Sequence, residues 1–278
     1  MKIVAVLNAH ENSPVFRDTL ESVRHHLTED VLVVVDGKSW DQFRDDDSIP
    51  AFKLEGFQHG VKHPMFAERY RNACLGMMKA WETWGDSANW YFSLEYDALV
   101  GSSLIREHLN EADALGLWLL GNDHRQYEGA IPFMEDFQKH KLNLHYLLGC
   151  CLFFSRDFMK ALSKDNFFER FLNFTNFRGG PINIVDSLGK NHSVYDVGEF
   201  LYPSLAVHYG GKVKEIACHL GCREGVEQWR GNYEYYPMRF RPDLTEQPFP
   251  QACVMHPMKD FDNPVRTYHR ERRNLGST

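Results

Sequence analysis

Along the first hundred residues, short apolar runs alternate with longer segments whose apolar positions recur every three or four residues. Ile3 to Leu7 is one such run, and "SPVFRDTLESVRHHL" follows with Val15, Phe16, Leu20, Val23 and Leu27 close to helical spacing. Ser13 before Pro14 has the form of an N-cap followed by proline at the first helical position, where a missing N–H leaves no bond unmade. "VLVVVDG", 31–37, is apolar and rich in β-branched residues up to its closing Asp-Gly, the pattern of a parallel strand buried on both faces. The three segments predict a β-α-β unit. A second helix from Phe66 to roughly Trp84 and a strand from Trp90 to Leu94 repeat it. The N-terminal third therefore predicts an open α/β sheet, whose ligands bind outside the carboxyl ends of the strands. Those ends are Asn8-Ala9-His10, Asp36-Gly37 and Glu95-Tyr96-Asp97.

Beyond residue 100 the pattern is weaker. "LIREHLNEADAL" reads as helical, "LGLWLLG" as strand, and "YLLGCCLFFSRDFMKAL" as a loop or strand turning into a helix. "VGEFLYPSLAVHYGG" predicts a helix closed by glycine and "VKEIACHL" a strand. From Arg223 onward the chain is rich in Pro, Arg and Tyr and is expected to wrap the domain in loops.

The stretch "NWYFSLEYDALVGSS" sets two carboxylates, Glu95 and Asp97, directly after an apolar strand. Burying an ionised carboxylate costs several kcal/mol or more unless it is paired or holds a cation. In an extended chain residues i and i+2 point the same way, so the two acids can converge on one point. Two hard oxygen donors at a strand end suit Mg²⁺ or Mn²⁺. The alternative for Asp97 is an N-cap of the segment after Val100, a place Ser102 or Ser103 fills as well.

Composition narrows the reading. With 278 residues, 43% hydrophobic and 25% charged, the chain is expected to be a folded protein of one domain with a large core. Its aromatic share of 14% is high and fits a groove that stacks on rings, although most aromatics go to the core. A net charge of -7 argues against nucleic acid or an anionic membrane as the main partner, so a phosphate ligand would need a cation to screen it. The opening "MKIVAVLNAHENS" lacks a signal-type apolar region, and no stretch reaches the roughly 20 apolar residues of a membrane span. The six cysteines are too sparse for a disulfide scaffold, and Cys218-His219 with Cys222 lacks a fourth zinc ligand. A reduced cytoplasm is the expected setting.

The order of these pieces resembles the GT-A glycosyltransferases, in particular family-2-like inverting enzymes. "VAVLNAHENSPVFRDTLESV" resembles their opening strand, nucleotide-binding loop and first helix, and "VLVVVDGKSWD" their second strand. "AERYRNACLGMMKAW" resembles the A-R-N-x-G helix through Arg71 and Asn72, and "FSLEYDALV" the D-x-D metal motif with Glu95 in place of the first Asp. "LLGCCLFFSRDFMKAL" resembles the G-G-x-x-x-x-x-R segment with Cys150 at the second glycine, and "VMHPMKD" the C-terminal metal-ligating histidine, here His256. In "GEFLYPSLAVHYGGKVKEI" Glu199 matches one member of an E-D pair whose second acid is absent, while Asp196 lies three residues earlier.

The resemblance implies a single GT-A-like α/β domain over 1–278, an open, mostly parallel twisted sheet flanked by helices. It divides into a nucleotide-binding half (1–100), an acceptor-side half (101–222) and a loop-rich C-terminal extension (223–278). It implies transfer of a sugar from a nucleotide-diphosphate sugar, UDP-sugar favoured, to a hydroxyl of a glycan or other acceptor, with Mn²⁺ or Mg²⁺ as cofactor. The implied metal ligands are Asp97, Glu95 and His256, with His256 alternatively a structural histidine hydrogen-bonded to backbone. The implied donor-binding residues are Asn8, His10, Asp36, Arg71 and Glu95, with His10 alternatively a satisfied loop histidine and Arg71 alternatively a solvated helix face. Glu199 is the implied general base, with Asp196 as substitute, because a carboxylate in a partly desolvated pocket has its pKa raised toward that role. Alternatives are a nucleotide-sugar-binding protein without catalysis and a sugar-phosphate nucleotidyltransferase, although a G-x-G-x-R-like loop is missing after the first strand.

Overall fold

A computed structural model of the chain describes residues 1–54, 67–116, 119–120, 146–147, 151–172, 182–185, 191–194, 198–215, 217–223, 226–230, 238–240 and 253–275. The N-terminal elements are β1 (Ile3–Ala9), α1 (Pro14–His26), β2 (Val31–Asp36), β3 (Ala51–Leu54), α2 (Ala67–Trp84), β4 (Trp90–Glu95) and β5 (Leu99–Val100). The middle of the chain supplies β6 (Ala114–Gly116), β7 (Leu119–Leu120), β8 (Tyr146–Leu147), β9 (Cys151–Ser155), α3 (Arg156–Lys164) and α4 (Phe167–Leu172). They are followed by β10 (Ile182–Val185), β11 (Asn191–Val194), α5 (Gly198–His208) and β12 (Val213–Glu215). Last come β13 (Ala217–Arg223), β14 (Val226–Arg230), β15 (Met238–Phe240), β16 (Val254–His256) and α6 (Pro264–Leu275).

The principal sheet has seven strands in the order β12-β6-β9-β4-β1-β2-β3. β4, β1, β2 and β3 are parallel, β9 is antiparallel to both β4 and β6, and β12 is parallel to β6. This is the α/β architecture with an open, mostly parallel sheet that the pattern predicts. The carboxyl ends of β1, β2, β3 and β4 share one edge, where Asn8 lies opposite Glu95 and Asp36 opposite Leu54 in register. A second sheet, β14-β13-β15-β16-β5, brings the C-terminal strands beside the segment that follows β4.

Strand alternation divides the core in two. Val4, Val6 and Val34 share one cluster with Cys74, Met77 and Ala80 of α2. Ile3, Ala5, Leu7, Val33 and Val35 share the opposite cluster with Phe16, Leu20 and Val23 of α1. Phe92 and Phe153, paired across β4 and β9, stack with ring centroids 3.6 Å apart. Each such fully buried apolar side chain contributes about 1.5–3 kcal/mol relative to exposure. Ser13 caps α1 by accepting from the Phe16 N–H, with Pro14 next in line, as the sequence predicts. α5 ends in a turn at Gly210, whose φ of +83° suits glycine.

The structure departs from the pattern in two places. Two short 3₁₀ turns, Ser103–Glu107 and Leu109–Glu111, replace the expected α-helix: Ile105 and Leu109 anchor them in the core, with Ser102 accepting from the Leu104 N–H at the start. "VKEIACHL" is two strands, β12 and β13, which serve different sheets. Within the C-terminal segment expected to be loop-rich, the described residues form the short strands β14, β15 and β16 and the twelve-residue α6, whose positions the pattern does not single out. Pro and Arg density hides them, since β15 and β16 have only three residues each, too few to show a period.

Two tests follow from the packing. A Cβ on Gly76 would lie 2.8 Å from both Val34 Cγ2 and Val6 Cγ1, so α2 rests on the sheet at van der Waals contact. Gly76→Ala is expected to destabilise by about 1–3 kcal/mol in urea titration, despite the better helix propensity of alanine. Burial, helped by the neighbouring His25, Arg273, His269 and Arg272 charges, pushes the His26 imidazole down to about 4. The unfolded chain binds a proton near pH 6.5 and the folded chain only near pH 4, so stability is lost as pH falls through that window. Comparing melting temperatures of wild type and His26→Gln from pH 7 to 4 checks this: the decline should be shallower in the variant.

Candidate metal centre

Glu95 ends β4, and the chain then reverses in a tight turn closed by the Ala98 N–H donating to the Glu95 carbonyl at 3.1 Å. Glu95 and Asp97 are therefore brought together by a turn and not by the extended spacing expected from sequence. The turn also separates their environments: Asp97 is 1% exposed, whereas the Glu95 side chain is 53% exposed. β5 follows at once and pairs antiparallel with β16, Leu99 opposite Met255 and Val100 opposite Val254. Continued by one residue, that register sets His256 opposite Ala98, next to the two acids. The Met258 N–H donates to the Asp97 carbonyl at 2.8 Å and fixes the far side of the turn.

His256 Nε2 consequently lies 3.0 Å from Asp97 Oδ1 and 3.1 Å from Glu95 Oε2. The three donor atoms fall within 4.8 Å of one another, the single His/Cys/Asp/Glu group of this kind among the described residues. Two carboxylate oxygens and one imidazole nitrogen are a donor set that fits Mn²⁺ and, with retained waters, Mg²⁺. Burial pushes the Asp97 carboxyl up, but the His256 hydrogen bond, the His256 and Lys259 charges and a backbone bond outweigh it and hold it below the usual carboxylate value. Asp97 is thus held as an anion. The capping alternative for Asp97 does not apply, because Ser102 holds that place.

The other residues implied by the resemblance lie on the following elements. Asn8 stands beside Glu95 and donates to the Leu94 carbonyl at 3.3 Å. The His10 ring meets the Tyr96 ring edge-on at 4.1 Å, and the His10 carbonyl accepts from Ser39 Oγ. Burial, followed by the charges of Asp97, Glu11 and Glu95, pushes the Tyr96 phenol up to about 12, so it keeps its proton. Asp36 closes β2 at the same sheet edge, Arg71 lies in α2 and Glu199 in the first turn of α5. The side chains of these three, and all of Asp196, lie outside the described residues.

Sequence reasoning missed the residues that hold the turn from behind. Thr19 Oγ1 donates to the Ala98 carbonyl at 2.5 Å, and Ser22 Oγ accepts from the Val100 N–H at 3.1 Å. Arg266 of α6, fully buried, meets Asp18 of α1 at 2.6 Å, and Arg273 reaches the other oxygen of the same carboxylate. The signal was present: Val15, Asp18, Thr19 and Ser22 follow i, i+3, i+4, i+7 spacing, a mostly polar row on a face of α1 that is buried.

No family model matches the chain, and no curated protein matches it. Among solved structures, the chain is similar to a glycosyltransferase involved in glycosylation of the major capsid of PBCV-1 (10% identity, TM-score 0.41, 99% of this chain and 100% of that one). It is similar to a mannosyltransferase from Pyrobaculum calidifontis, solved with GDP-Man and Mn²⁺ (10% identity, TM-score 0.39, covering 78% and 55%). It is also similar to mannose-1-phosphate geranyltransferase from Thermus thermophilus (18% identity, TM-score 0.36), the match spanning 63% of this chain and 66% of that one.

The geometry makes Asp97 the inner donor of the three. Asp97→Asn preserves side-chain shape but removes the anion, and Mn²⁺ affinity measured by calorimetry is expected to fall by about tenfold or more, the range seen when metal-site partners are lost. Glu95→Gln, at an exposed position, should cost less.

Proposed function

We propose that the chain is a metal-dependent glycosyltransferase that moves a sugar from a nucleotide-diphosphate sugar, preferably a UDP-sugar, to a hydroxyl of a glycan or other acceptor, with inversion. The observation that carries the reading is the convergence of Glu95, Asp97 and His256 beside the carboxyl edge of the principal sheet, with Glu95 open to solvent. In an open α/β sheet that edge is where ligands bind. A diphosphate approaching a protein of net charge -7 needs a cation at its point of contact, and two acids with an imidazole supply the place for one.

In this reading Asp97, His256 and Glu95 hold Mn²⁺ or Mg²⁺. The ion, when bound, stabilises the negative charge of the departing diphosphate. Asn8, His10, Asp36 and Arg71 bind the donor within the nucleotide-binding half (1–100), and Tyr96, which retains its proton, can donate a hydrogen bond beside the acids but cannot act as a base. The acceptor enters along the half formed by 101–222, where Glu199 takes the hydroxyl proton and Asp196 is the substitute. The helix dipole favours a carboxylate at the start of α5, where Glu199 stands in the first turn. The 223–278 segment returns His256 to the centre. The reaction belongs in the cytoplasm.

The reading predicts that uridine diphosphate binds with Mn²⁺ and loses that binding with chelator; equal affinity by calorimetry in both conditions would remove the metal from donor recognition. It predicts further that Glu199→Gln retains donor and Mn²⁺ affinity while single-turnover transfer drops about 10²-fold or more, the scale for loss of a general base. Donor binding without turnover in wild type favours a binding protein. Asp196→Asn as the dead variant would move the base three residues back.

A further inference from the structure

We propose that Arg266 is a positioning residue for the metal centre, holding the Asp97 turn and the His256 strand in one geometry before a cation arrives. The inference rests on the metal site proposed above.

Arg266 has no exposed surface and heads the fully buried side chains by size among the described residues. An ion pair with Asp18 needs one or two of its five donors; Nη1 and Nη2 also reach the Thr19 hydroxyl at 3.4 Å, and Nη2 and Nε meet backbone carbonyls beside Asp97 and His256. Nη2 donates to the Met258 carbonyl at 2.8 Å, to Ala98 at 3.2 Å and to Asp97 at 3.5 Å, and Nε donates to Met258 at 3.2 Å. Nη1 donates to Asp18 Oδ2 at 2.6 Å and, more weakly, to the Val15 carbonyl at 3.4 Å. One planar group therefore touches the turn carrying Asp97, the segment two residues beyond His256, and the helix behind both.

Taking a guanidinium wholly out of water is costly, and a hydrophobic side chain would serve packing alone at least as well. What the fork adds is direction: its donors fix the separation of residues 97–98 from 258, and so of Asp97 from His256. A lysine supplies the charge for Asp18 but radiates its donors from one atom and does not span three carbonyls. Arg273 is the internal comparison. It shares Asp18 from a position two turns further along the same helix, through the other carboxylate oxygen.

The test compares Arg266→Lys with Arg273→Lys, using Mn²⁺ alone as the probe in calorimetry and thermal melting as the measure of stability. Both variants should melt earlier, whereas Mn²⁺ affinity should fall about tenfold in Arg266→Lys and stay within about twofold of wild type in Arg273→Lys, a loss of the size expected from disturbed outer-shell support. Wild-type affinity in Arg266→Lys, or an equal loss in both variants, overturns the proposal and leaves Arg266 as packing. A wild-type protein that binds no Mn²⁺ overturns the metal reading itself, a distinguishable result. Should Arg266→Lys fail to fold, hydrogen exchange of wild type decides. Linkage requires that Mn²⁺ slow exchange in α6 by about 5–150-fold, selectively over α3. No change, or equal slowing in both helices, overturns the proposal.

Discussion

A carboxylate with 1% exposure at the end of a buried strand is the constraint around which the rest of the structure is arranged. Left alone, Asp97 would take up a proton or open the sheet edge to water. The chain instead carries a histidine to it across 159 residues of sequence, to 3.0 Å. That delivery requires β16 to pair with β5, and β16 to be held there requires α6 to dock on α1. The partner of the acid thus depends on the C-terminal segment packing against the first helix.

The same turn gives the two acids unequal roles. Asp97 is enclosed and fixed by His256, whereas Glu95 ends β4 with half of its side chain in solvent. A rigid inner donor and an open outer one let a site keep its geometry while exchanging water or ligand oxygens on its open side. The parallel strands contribute by aligning Asn8 and Asp36 at the same edge as Glu95, so the ladder register sets where backbone positions fall and only the side chains differ.

Much of this was legible in the residues. The apolar periods placed β1, α1, β2, α2 and β4 within a few residues, because each buries a long, regular face. The acid pair after β4 and the histidine in "VMHPMKD" were legible as chemistry. Their geometry was not: the i, i+2 argument assumed an extended chain, while the Ala98 N–H to Glu95 carbonyl bond folds it into a turn. Two- and three-residue strands such as β5 and β16 have no period to read, and their pairing is decided by tertiary contact. Arg266 was hidden for a different reason. In "PVRTYHRERRNL" it is one of four arginines on an amphipathic helix, and which of them faces inward depends on Asp18, at a sequence separation of 248.

Closing a loop of that length costs chain entropy that grows only slowly with length, by about 0.6 kcal/mol for each doubling, so the penalty lies mainly in closing it at all. A histidine between two acids does not by itself offset that penalty, because desolvation cancels much of the attraction of the buried Asp97 pair and the Glu95 pair is half in solvent. The closure is supported instead by Leu99, Met255, Met258 and Val265, all fully buried together, and by the Arg266–Asp18 pair beneath them. The Asp97–His256 contact is therefore secured by a packing interface that supplies most of the stabilisation. It follows that loosening α6 would disperse the Glu95–Asp97–His256 cluster while the principal sheet stayed folded, since β1, β2, β4 and β9 bury their own two faces without it.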